Sequence, residues 1–432
     1  MSRSIENLRI RPISRRNALR MAGIGLSAAV LATSTAFAPV PTLARQGSNA
    51  RIELALLQSF SDPKHPAMKL IDAFNATGVG VEVTGTSYGA NYEEIMQRAQ
   101  ANISAQIGPA LVVTGWKYAL FADAALNIVD LREVGGDQVD SILARFRPWV
   151  ADIIRVGDKL AGLPFSLSTP VLYYNQDLFA QAGIAEGTSL ATWDDVANVA
   201  TQLKASTDID GAIVGETNEW TAQTFVQNNG GRVLDDAGKA VFDSDAAIAG
   251  MQVWDKLRKD GHYVSMPNDQ MRPSFLAGNI PIYFTSIASL AAINANAGFK
   301  VGTAEFPATG THPKSMPSGG NFLGVYTQDA EQQQAAWKLL DFASSTAGVT
   351  IWSETGYLVA TNDDIPPLPG QEPAYQQMKD GLTNETIWPG ERGLEALVVF
   401  ADWMTRIITG DVPVETGMRD GNAAVAALLP SS

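Results

Sequence analysis

Residues 163–184, with the sequence LPFSLSTPVLYYNQDLFAQAGI, constrain the fold of this chain more than any other segment. Pro164 and Pro170 fix the backbone φ angle and favour extended geometry in the residues before them. The run 171–174 is apolar and rich in β-forming residues, and apolar side chains then recur at helical spacing over 178–182. The pattern predicts a polar crossover, a buried strand and an amphipathic helix in succession. Such a join can hold a hinge between two domains.

Strand-like and helical patterns alternate through the first part of the chain. Strands are predicted at 51–57, 81–86 and 110–114, and helices at 66–75 and 92–105. This alternation is typical of an α/β fold in which a mainly parallel sheet carries helices on both faces. Ligands of such sheets bind beyond the carboxyl ends of the strands, so residues just after each strand are candidates for a binding site.

The middle of the chain shows local signals for a second domain. Thr192, with Asp195 three residues later, predicts an N-terminal cap for the amphipathic helix that follows. Residues 230–242 predict a hairpin, since the order of their acidic residues does not match a calcium-binding loop. Ser286 follows a predicted strand at 280–284 and starts a predicted helix, where free backbone amides suit an oxygen-rich ligand.

The composition indicates a stable, soluble, two-lobed protein. Its 432 residues are 46% hydrophobic, which is enough to bury a large core, and the length suggests two lobes. Residues 1–44 carry a net charge of +5 in a chain whose net charge is −14, so the remainder carries −19. Such an acidic surface repels nucleic acids and anionic membranes, and we expect neither as a partner.

The N-terminal segment has the features of a removable export signal. Residues 1–44 contain six arginines and one glutamate, and their last 24 residues carry no charge. Arg15 and Arg16 stand before this apolar stretch, as in twin-arginine signal peptides. Gly, Ser and Thr dilute the stretch, whereas a membrane-spanning helix of roughly 20 residues is usually more apolar. Pro39 disfavours cleavage after the A-x-A tripeptide before it, so we predict Ala44 as the last residue removed.

The absence of cysteine from the sequence excludes disulfide bonds, a lipid-attachment cysteine and cysteine-ligated iron–sulfur or haem sites. We therefore predict a freely diffusing periplasmic protein and exclude an exported redox enzyme that uses such sites. The three histidines, His65, His262 and His312, lie far apart in sequence and lack the spacing of metal ligands. We accordingly predict no metal site and no cofactor.

Five segments resemble the extracellular solute-binding proteins of ABC importers. They are 163–184, GANYEE at 89–94, TWDDVANVATQLKAS at 192–206, SFLAGNIPIYFTS at 274–286 and WSETGYLVAT at 352–361. They follow the family order and span nearly all of the exported chain. The likeness is strongest to the carbohydrate branch, which includes the glycerol-3-phosphate-binding and maltose-binding proteins. It implies a two-lobed periplasmic-binding-protein fold, each lobe a mainly parallel sheet flanked by helices, with the ligand in the cleft between the lobes.

The crossovers divide the chain into a signal peptide and two lobes. A second crossover is predicted in the segment 307–320, which is rich in Pro, Ser, Thr and Gly. The predicted signal peptide is 1–44, the N-lobe comprises 45–168 and 318–355, and the C-lobe comprises 169–317 and 356–432.

The resemblance to the glycerol-3-phosphate-binding branch implies a set of residues that contact the ligand. At matching positions these are Tyr92, Ser168, Trp220, Ser286, Gly320, Tyr357 and an arginine near the C-terminal end. Each also has a structural alternative. The tyrosines suit rim positions, the serines suit caps or turns, the tryptophan suits lobe packing and the glycine suits a flexible turn.

Two departures from the family pattern bear on the identity of the ligand. Trp116 replaces the glutamate that follows the third strand and receives glycerol hydroxyls in the family. A tryptophan two residues past a strand end is suited to stack on a sugar ring, which favours a sugar or larger polyol derivative over glycerol phosphate. The phosphate-binding arginine aligns only across a gap, where Arg392 is the candidate. Pairing with the adjacent Glu391 at the rim is the alternative role for Arg392.

The resemblance implies a binding protein that closes on its ligand by a hinge motion and delivers it to the transmembrane subunits of an ABC permease. Two other classes stay open at this point. Glu216 and Glu219, close to Trp220, form the best carboxylate pair for a glycosidase. A sensor subunit that presents its closed form to a receptor would use the same lobes. No nucleophile elbow, Walker loop or zinc-protease motif occurs in the sequence, and we predict a monomer without enzymatic activity.

Overall fold

A computed structural model describes residues 50–430, except residues 208, 210 and 311. The predicted signal peptide, 1–44, lies outside the described residues. In the described part of the chain, no helix is both long enough and apolar enough to cross a membrane.

The described residues form mixed α/β structure. The strands are β1 (Ala50–Leu57), β2 (Val81–Gly89), β3 (Leu111–Gly115), β4 (Arg155–Val156), β5 (Lys159–Leu160), β6 (Leu163–Ser168), β7 (Pro170–Asn175), β8 (Ile213–Gly215), β9 (Ile282–Ser286), β10 (Val301–Glu305), β11 (Met316–Pro317), β12 (Gly319–Val325) and β13 (Leu382–Thr383). The α-helices are α1 (Pro66–Ala76), α2 (Tyr92–Ser104), α3 (Ala119–Leu126), α4 (Leu131–Gly135), α5 (Val139–Leu143), α6 (Pro148–Ile153), α7 (Gln176–Gln181), α8 (Trp193–Ser206), α9 (Glu219–Asn228), α10 (Asp245–Lys259), α11 (Asn268–Leu276), α12 (Leu290–Asn296), α13 (Ala330–Ala343), α14 (Thr346–Ser353), α15 (Glu372–Asp380), α16 (Gly393–Thr409) and α17 (Val414–Ala426).

Two sheets form the centres of two lobes. The first has the strand order β2-β1-β3-β12-β6, and the second has the order β10-β7-β9-β8. β1 is parallel to β2 and β3, and β8 is parallel to β9. β12 is antiparallel to β3 and β6, and β7 is antiparallel to β9 and β10. The predicted two-lobed α/β fold is confirmed. Four of the five strands of the first sheet and three of the four strands of the second run in one direction, so each sheet is mainly parallel with one reversed strand, β12 or β7.

The strand directions follow from the way the chain crosses between the sheets. β7 and β12 are the first strands after a crossing, so each starts at the junction of the two sheets and runs away from it. Each antiparallel pair of the two sheets contains β7 or β12. Their neighbours run toward the junction, and the carboxyl ends of β1, β3, β8 and β9 therefore meet there. This is the edge at which α/β sheets bind ligands.

The first crossing consists of one residue, Thr169, between β6 and β7. Thr169 is fully buried, and the strands on either side of it belong to different sheets. The buried side chain of Gln377, in α15, donates from Nε2 to Thr169 Oγ1 at 3.1 Å and to Pro170 O at 2.8 Å. The Thr169 hydroxyl and the Pro170 carbonyl are thus satisfied by a side chain from a distant part of the chain, and the Thr169 carbonyl accepts from Ile287 N at 3.0 Å.

Two local predictions for the second lobe are confirmed. α8 begins at a capping box, in which Asp195 N donates to Thr192 Oγ1 at 3.1 Å and Thr192 N donates to Asp195 Oδ2 at 3.0 Å. The hairpin predicted at 230–242 is present, and Val241 N donates to Val233 O at 3.0 Å. Both features depend on contacts between residues that are close in sequence.

The core of the second lobe surrounds Phe284 in β9, whose side chain is fully buried. Five aromatic rings have centroids 5.3 to 6.1 Å from its ring, and they belong to Trp193, Phe225, Trp254, Tyr263 and Phe306. α8, α9 and α10 each contribute one ring. The cluster therefore fixes α9 against β9, and the first turn of α9 reaches the junction of the sheets.

We expect Phe284→Ala to lower the free energy of unfolding by about 3–5 kcal/mol, because it leaves a cavity where a buried ring was. Val398→Ala is the control, since Val398 in α16 is 44% exposed; its effect should stay within about 0.5 kcal/mol. Urea unfolding followed by tryptophan fluorescence measures both. Equal unfolding midpoints for Phe284→Ala and the wild type would contradict this description of the core.

Candidate functional site

A cleft with a volume of about 380 Å³ lies at the junction of the two sheets. The first lobe contributes the carboxyl end of β1, the first turn of α2 and the turn after β3. The second lobe contributes the end of β9, the loop after β8 and the first turn of α9. Carboxyl ends of strands and amino ends of helices thus form its wall, and both are positions that favour ligand binding.

The cleft brings together six of the eight residues that the sequence predicts as ligand contacts. They are Tyr92, Ser168, Trp220, Ser286, Gly320 and Tyr357. Three of them are aromatic, and the others offer hydroxyl or backbone groups. Their contact with a ligand stays a prediction. Trp116 and Arg392 are not part of the wall.

Two tyrosines of the wall are held by buried neighbours. The hydroxyl of Tyr92 accepts a hydrogen bond of 2.7 Å from Asn321 Nδ2, and Asn321 Oδ1 accepts one of 3.1 Å from Ser166 Oγ. The ring of Tyr357 stacks on Trp352 with the centroids 5.7 Å apart. Burial raises the pKa of Tyr92 to about 12 and also raises the pKa of Tyr357. Both side chains are therefore neutral phenols at physiological pH.

Trp220, in the first turn of α9, joins the two lobes. Its Nε1 donates to Ser318 O at 3.4 Å. A Cβ atom on Gly319 would lie 2.9 Å from its Cζ2, so the indole packs closely on the start of β12. Trp220 therefore has the lobe-packing role that the sequence left open, and the same side chain lines the cleft.

Gly320 lies inside β12, so its alternative role in a flexible turn is wrong. Its φ angle is +145°, a region that favours glycine. A Cβ atom here would lie 1.9 Å from Ser166 O and 3.0 Å from Cζ2 of Trp116. The absence of a side chain lets the backbone of β12 approach both β6 and the indole beneath it.

Trp116 does not stand at the mouth of the cleft, and its predicted role as a stacking platform is wrong. Its side chain is only 1% exposed, beneath Gly320. The residues after β3 form a 3-10 turn over Trp116–Tyr118, which directs the indole into the core and Lys117 into the cleft. Burial of a large apolar ring favours this arrangement.

Arg392 lies outside the cleft. The prediction that it binds an anionic group of the ligand there is therefore wrong. Arg392 immediately precedes α16, and its side chain is 53% exposed. Its Nε and Nη2 atoms each donate to the carboxylate of Glu395 at 2.8 Å. The guanidinium is thus occupied by Glu395 in the first turn of α16, and not by Glu391, which the sequence suggested.

A cluster of three charged residues crosses the cleft and was missed by the sequence analysis. Lys117 of the first lobe pairs with Glu219 and lies 3.6 Å from Glu385, both of the second lobe. The exposed fractions of these side chains are 14%, 17% and 9%. We call these three residues the interlobe ion cluster. Its one sequence signal is the position of Lys117, two residues after the end of β3.

The pKa values in the interlobe ion cluster follow from burial and from its uneven charge. Burial alone would lower the pKa of Lys117, but the two carboxylates raise it above the ordinary value. Burial would raise the pKa of Glu219, but the adjacent ammonium lowers it. Burial raises the pKa of Glu385 to about 7, which Lys117 only partly counteracts. One lysine therefore neutralises Glu219 fully and leaves Glu385 close to its titration point at neutral pH.

Glu216 and Arg272 complete the charged groups of the wall. The carboxylate of Glu216 accepts hydrogen bonds from Tyr283 Oη at 3.0 Å, Thr285 Oγ1 at 2.7 Å and Asn218 Nδ2 at 3.2 Å. These neutral donors fix its orientation. Arg272, in α11, also points into the cleft, and it has no counterpart among the residues predicted from the sequence.

A larger cavity of about 830 Å³ lies in the second lobe, beside the hairpin at 230–238. His312 and Asn384 are in its wall, whereas none of the eight predicted residues is. It is lined by one lobe and has no aromatic platform. The smaller cleft between the sheets is therefore the better candidate for the functional site.

Comparisons with known proteins agree with this architecture. A family model described as "Bacterial extracellular solute-binding protein" matches residues 69–380. The sn-glycerol-3-phosphate-binding periplasmic protein UgpB of Escherichia coli (strain K12) is 28% identical over 312 residues, which cover 68% of this chain and 70% of that protein.

Two solved structures share the fold. UgpB from Mycobacterium tuberculosis in complex with glycerophosphocholine has a TM-score of 0.77 and 20% identity, covering 88% of this chain and 98% of that chain. Maltose-bound MalE3 of T. maritima has a TM-score of 0.74 and 20% identity, covering 88% of this chain and 100% of that chain. At these identities the likeness establishes the two-lobed fold.

Glu385 should make stability depend on pH. Because the folded protein raises its pKa from 4.5 to about 7, Glu385 contributes stability below pH 4.5 that is lost as the pH rises to about 7. In Glu385→Gln, the free energy of unfolding should fall less over this window than in the wild type, by roughly 3 kcal/mol. Urea unfolding at a series of pH values measures the difference.

Other titrating groups do not obscure this comparison. Burial lowers the pKa of His65 to about 4, which makes stability rise over part of the same window, but His65 is common to both proteins and cancels. Glu395→Gln is the control, because the hydrogen bond from Arg392 lowers the pKa of Glu395 and places its titration below the window. Parallel pH profiles for Glu385→Gln and the wild type would contradict the prediction.

Proposed function

Since the chain belongs to the bacterial extracellular solute-binding family, we propose that it captures a small polyhydroxylated ligand, a sugar or polyol derivative, in the cleft between its lobes. It is the solute-binding component of an ABC transporter and hands this ligand to the transmembrane permease subunits. Under this proposal the lobes are those of the sequence division, 45–168 with 318–355 and 169–317 with 356–432.

The observation that carries the proposal is the combination of aromatic rings and hydrogen-bonding groups in one cleft. Tyr92, Trp220 and Tyr357 supply flat apolar surfaces, which suit the C–H faces of a pyranose or polyol. Glu216 and Ser168 supply acceptors and a hydroxyl for the ligand's own hydroxyl groups. A volume of about 380 Å³ lies within the range of small-molecule pockets.

Closure of the lobes would be a hinge motion about the crossings, of which Thr169 is the shortest. Contacts between the lobes support this view. Trp220 bonds to Ser318, and Lys117 pairs with Glu219, so groups from both lobes are within reach of one another across the cleft. A ligand that contacts both walls would favour the closed arrangement over the open one.

We propose binding without catalysis. Glu216 and Glu219, the carboxylate pair considered for a glycosidase, both lie in the wall. Glu219 is paired with Lys117, and Glu216 is held by Tyr283 and Thr285. A glycosidase needs one protonated acid opposite one free carboxylate. The relative from Escherichia coli is also named a binding protein.

We further propose that the protein reaches the periplasm by twin-arginine export, loses residues 1–44 and acts as a monomer. The Arg15-Arg16 pair before an apolar stretch supports the route. Sequencing the N-terminus of the exported protein should give Arg45 as the first residue. A start before Thr35 would contradict the signal peptide, and export that survives Arg15→Lys with Arg16→Lys would contradict the route.

Calorimetric titration of the mature protein tests the ligand class. The probes are neutral mono- and disaccharides, glycerol, sn-glycerol-3-phosphate and a glycerophosphodiester, and we expect saturable binding of at least one. Trp220→Ala should weaken that binding about tenfold or more, because it removes an aromatic contact from the wall. Trp403→Ala, a tryptophan of α16 outside the cleft, is the matched control and should leave it unchanged.

Two outcomes of this experiment would contradict the proposed function. One is that no sugar or polyol probe binds the folded protein. The other is steady hydrolysis of nitrophenyl glycosides, which would instead support the glycosidase. A pull-down distinguishes delivery from sensing, because a transport protein should retain ABC permease subunits and a sensor should retain a receptor.

A further inference from the structure

Arg272 places a positive charge on the wall of the cleft, on a helix that buried residues anchor. It lies in α11, whose neighbouring residues Met271 and Phe275 are fully buried and anchor the helix. α11 packs on β9, the strand that ends at Ser286. The guanidinium therefore stands beside the end of β9, on the wall of the second lobe.

The guanidinium of Arg272 has unused hydrogen-bonding capacity. Its Nη2 donates to Ser289 Oγ at 3.1 Å, which uses one of the five N–H groups of an arginine side chain. Among the residues that the structure describes, no carboxylate oxygen lies within 4.0 Å of it. The side chain is exposed to the cleft, so its remaining donors face the space that a ligand would occupy.

The other charged groups of the wall do not neutralise Arg272. Lys117, the second cation of the wall, is already paired with Glu219. Glu216 is on the same side of the cleft as Arg272, but its oxygens accept three hydrogen bonds from neutral donors. Arg272 is thus the one cationic side chain of the described wall that lacks a carboxylate partner.

Two hydroxyls lie in the same part of the wall. Ser286 Oγ accepts from Ala288 N at 3.2 Å, so its own O–H remains available as a donor. Ser289 Oγ accepts from Arg272, and its O–H is available in the same way. Both serines and Arg272 line the cleft, so three donor groups converge on one side of it.

Resting on the proposed function, we infer that Arg272, with the hydroxyls of Ser286 and Ser289, forms an anion subsite that seats a carboxylate or phosphate group of the polyhydroxylated ligand. The fork of a guanidinium matches the spacing of two oxygens of either group. This subsite takes the role that the sequence analysis gave to Arg392, and it lies in the lobe opposite to Lys117.

The test compares neutral and anionic probes of similar shape on the intact mature protein. Galactose with galacturonate forms the carboxylate arm, and glycerol with sn-glycerol-3-phosphate forms the phosphate arm. Binding is measured by calorimetry for the wild type, Arg272→Gln, Arg272→Lys and the surface control Arg392→Gln. Thermal unfolding of each variant verifies that it is folded.

We expect the anionic member of at least one arm to bind the wild type more tightly than its neutral partner. Arg272→Gln should weaken the anionic probe about ten- to a hundredfold, because a charge-assisted contact is lost and Glu216 then repels the anion. The neutral probe should be unaffected. Arg272→Lys should be intermediate, since it keeps the charge and loses the fork. Arg392→Gln should match the wild type, and the arm that responds identifies the anion.

The possible failures are distinct. If neutral probes bind without any preference for the anion, or if Arg272→Gln binds the anionic probe as tightly as the wild type, the anion subsite is overturned and the proposed function stands. If Arg272→Gln does not fold, the same criteria apply to Arg272→Lys, whose unchanged affinity and unchanged salt dependence would overturn the subsite. If neither member of either arm binds but a neutral sugar of the calorimetric panel does, only the anion subsite is overturned. If no probe of that panel binds either, the proposed function is overturned as well.

Discussion

The crossing at Thr169 is the constraint on which the rest of the structure depends. A chain that passes between two sheets through one buried residue must leave the first sheet and enter the second at the same point. The strand that follows the crossing then starts at the junction, opposite in direction to the strands that end there. The return crossing imposes the same condition on β12, whose first residue pairs with Ser168. Both sheets are consequently mixed, and the carboxyl ends of their remaining strands converge on a single cleft.

The interlobe ion cluster shows how the cleft accommodates buried charge. Removing Lys117, Glu219 and Glu385 from water is unfavourable, and their mutual attraction offsets this only where opposite charges balance. Burial raises the pKa of Glu385 to about 7, because one ammonium faces two carboxylates and offsets the burial only in part. The lysine of one lobe pairs with the carboxylates of the other lobe, so the cluster is suited to fix the position of the two lobes relative to each other. It is less suited to recognise a charged ligand, because its ammonium is already engaged.

The sequence predicted the elements of this fold better than their relations in space. The capping box at Thr192 and the hairpin at 230–242 were predictable because their contacts are local. The mainly parallel sheets were predicted, but the single reversed strand in each of them was not, although a strand after a crossing has a defined direction. The position of a residue in the cleft wall was predicted where the family motif includes that residue, as for Tyr92, whose contact with a ligand stays a prediction. The prediction that Trp116 lines the cleft was wrong, because one turn of 3-10 helix exchanges the inward and outward positions of adjacent residues. Periodicity does not resolve such a shift.

Some polar groups of the cleft already have hydrogen-bond partners within the protein, and others have donors without such partners. Tyr92 is bonded to Asn321, and Glu216 is bonded to Tyr283 and Thr285, so the fold itself sets their orientation. Groups fixed in this way lose little freedom when a ligand binds, and they contribute shape and acceptors for hydroxyls. They discriminate weakly between ligands that differ in charge. Selectivity for charge must therefore come from a group without a partner in the described wall, and the guanidinium of Arg272 is the cation that meets this condition.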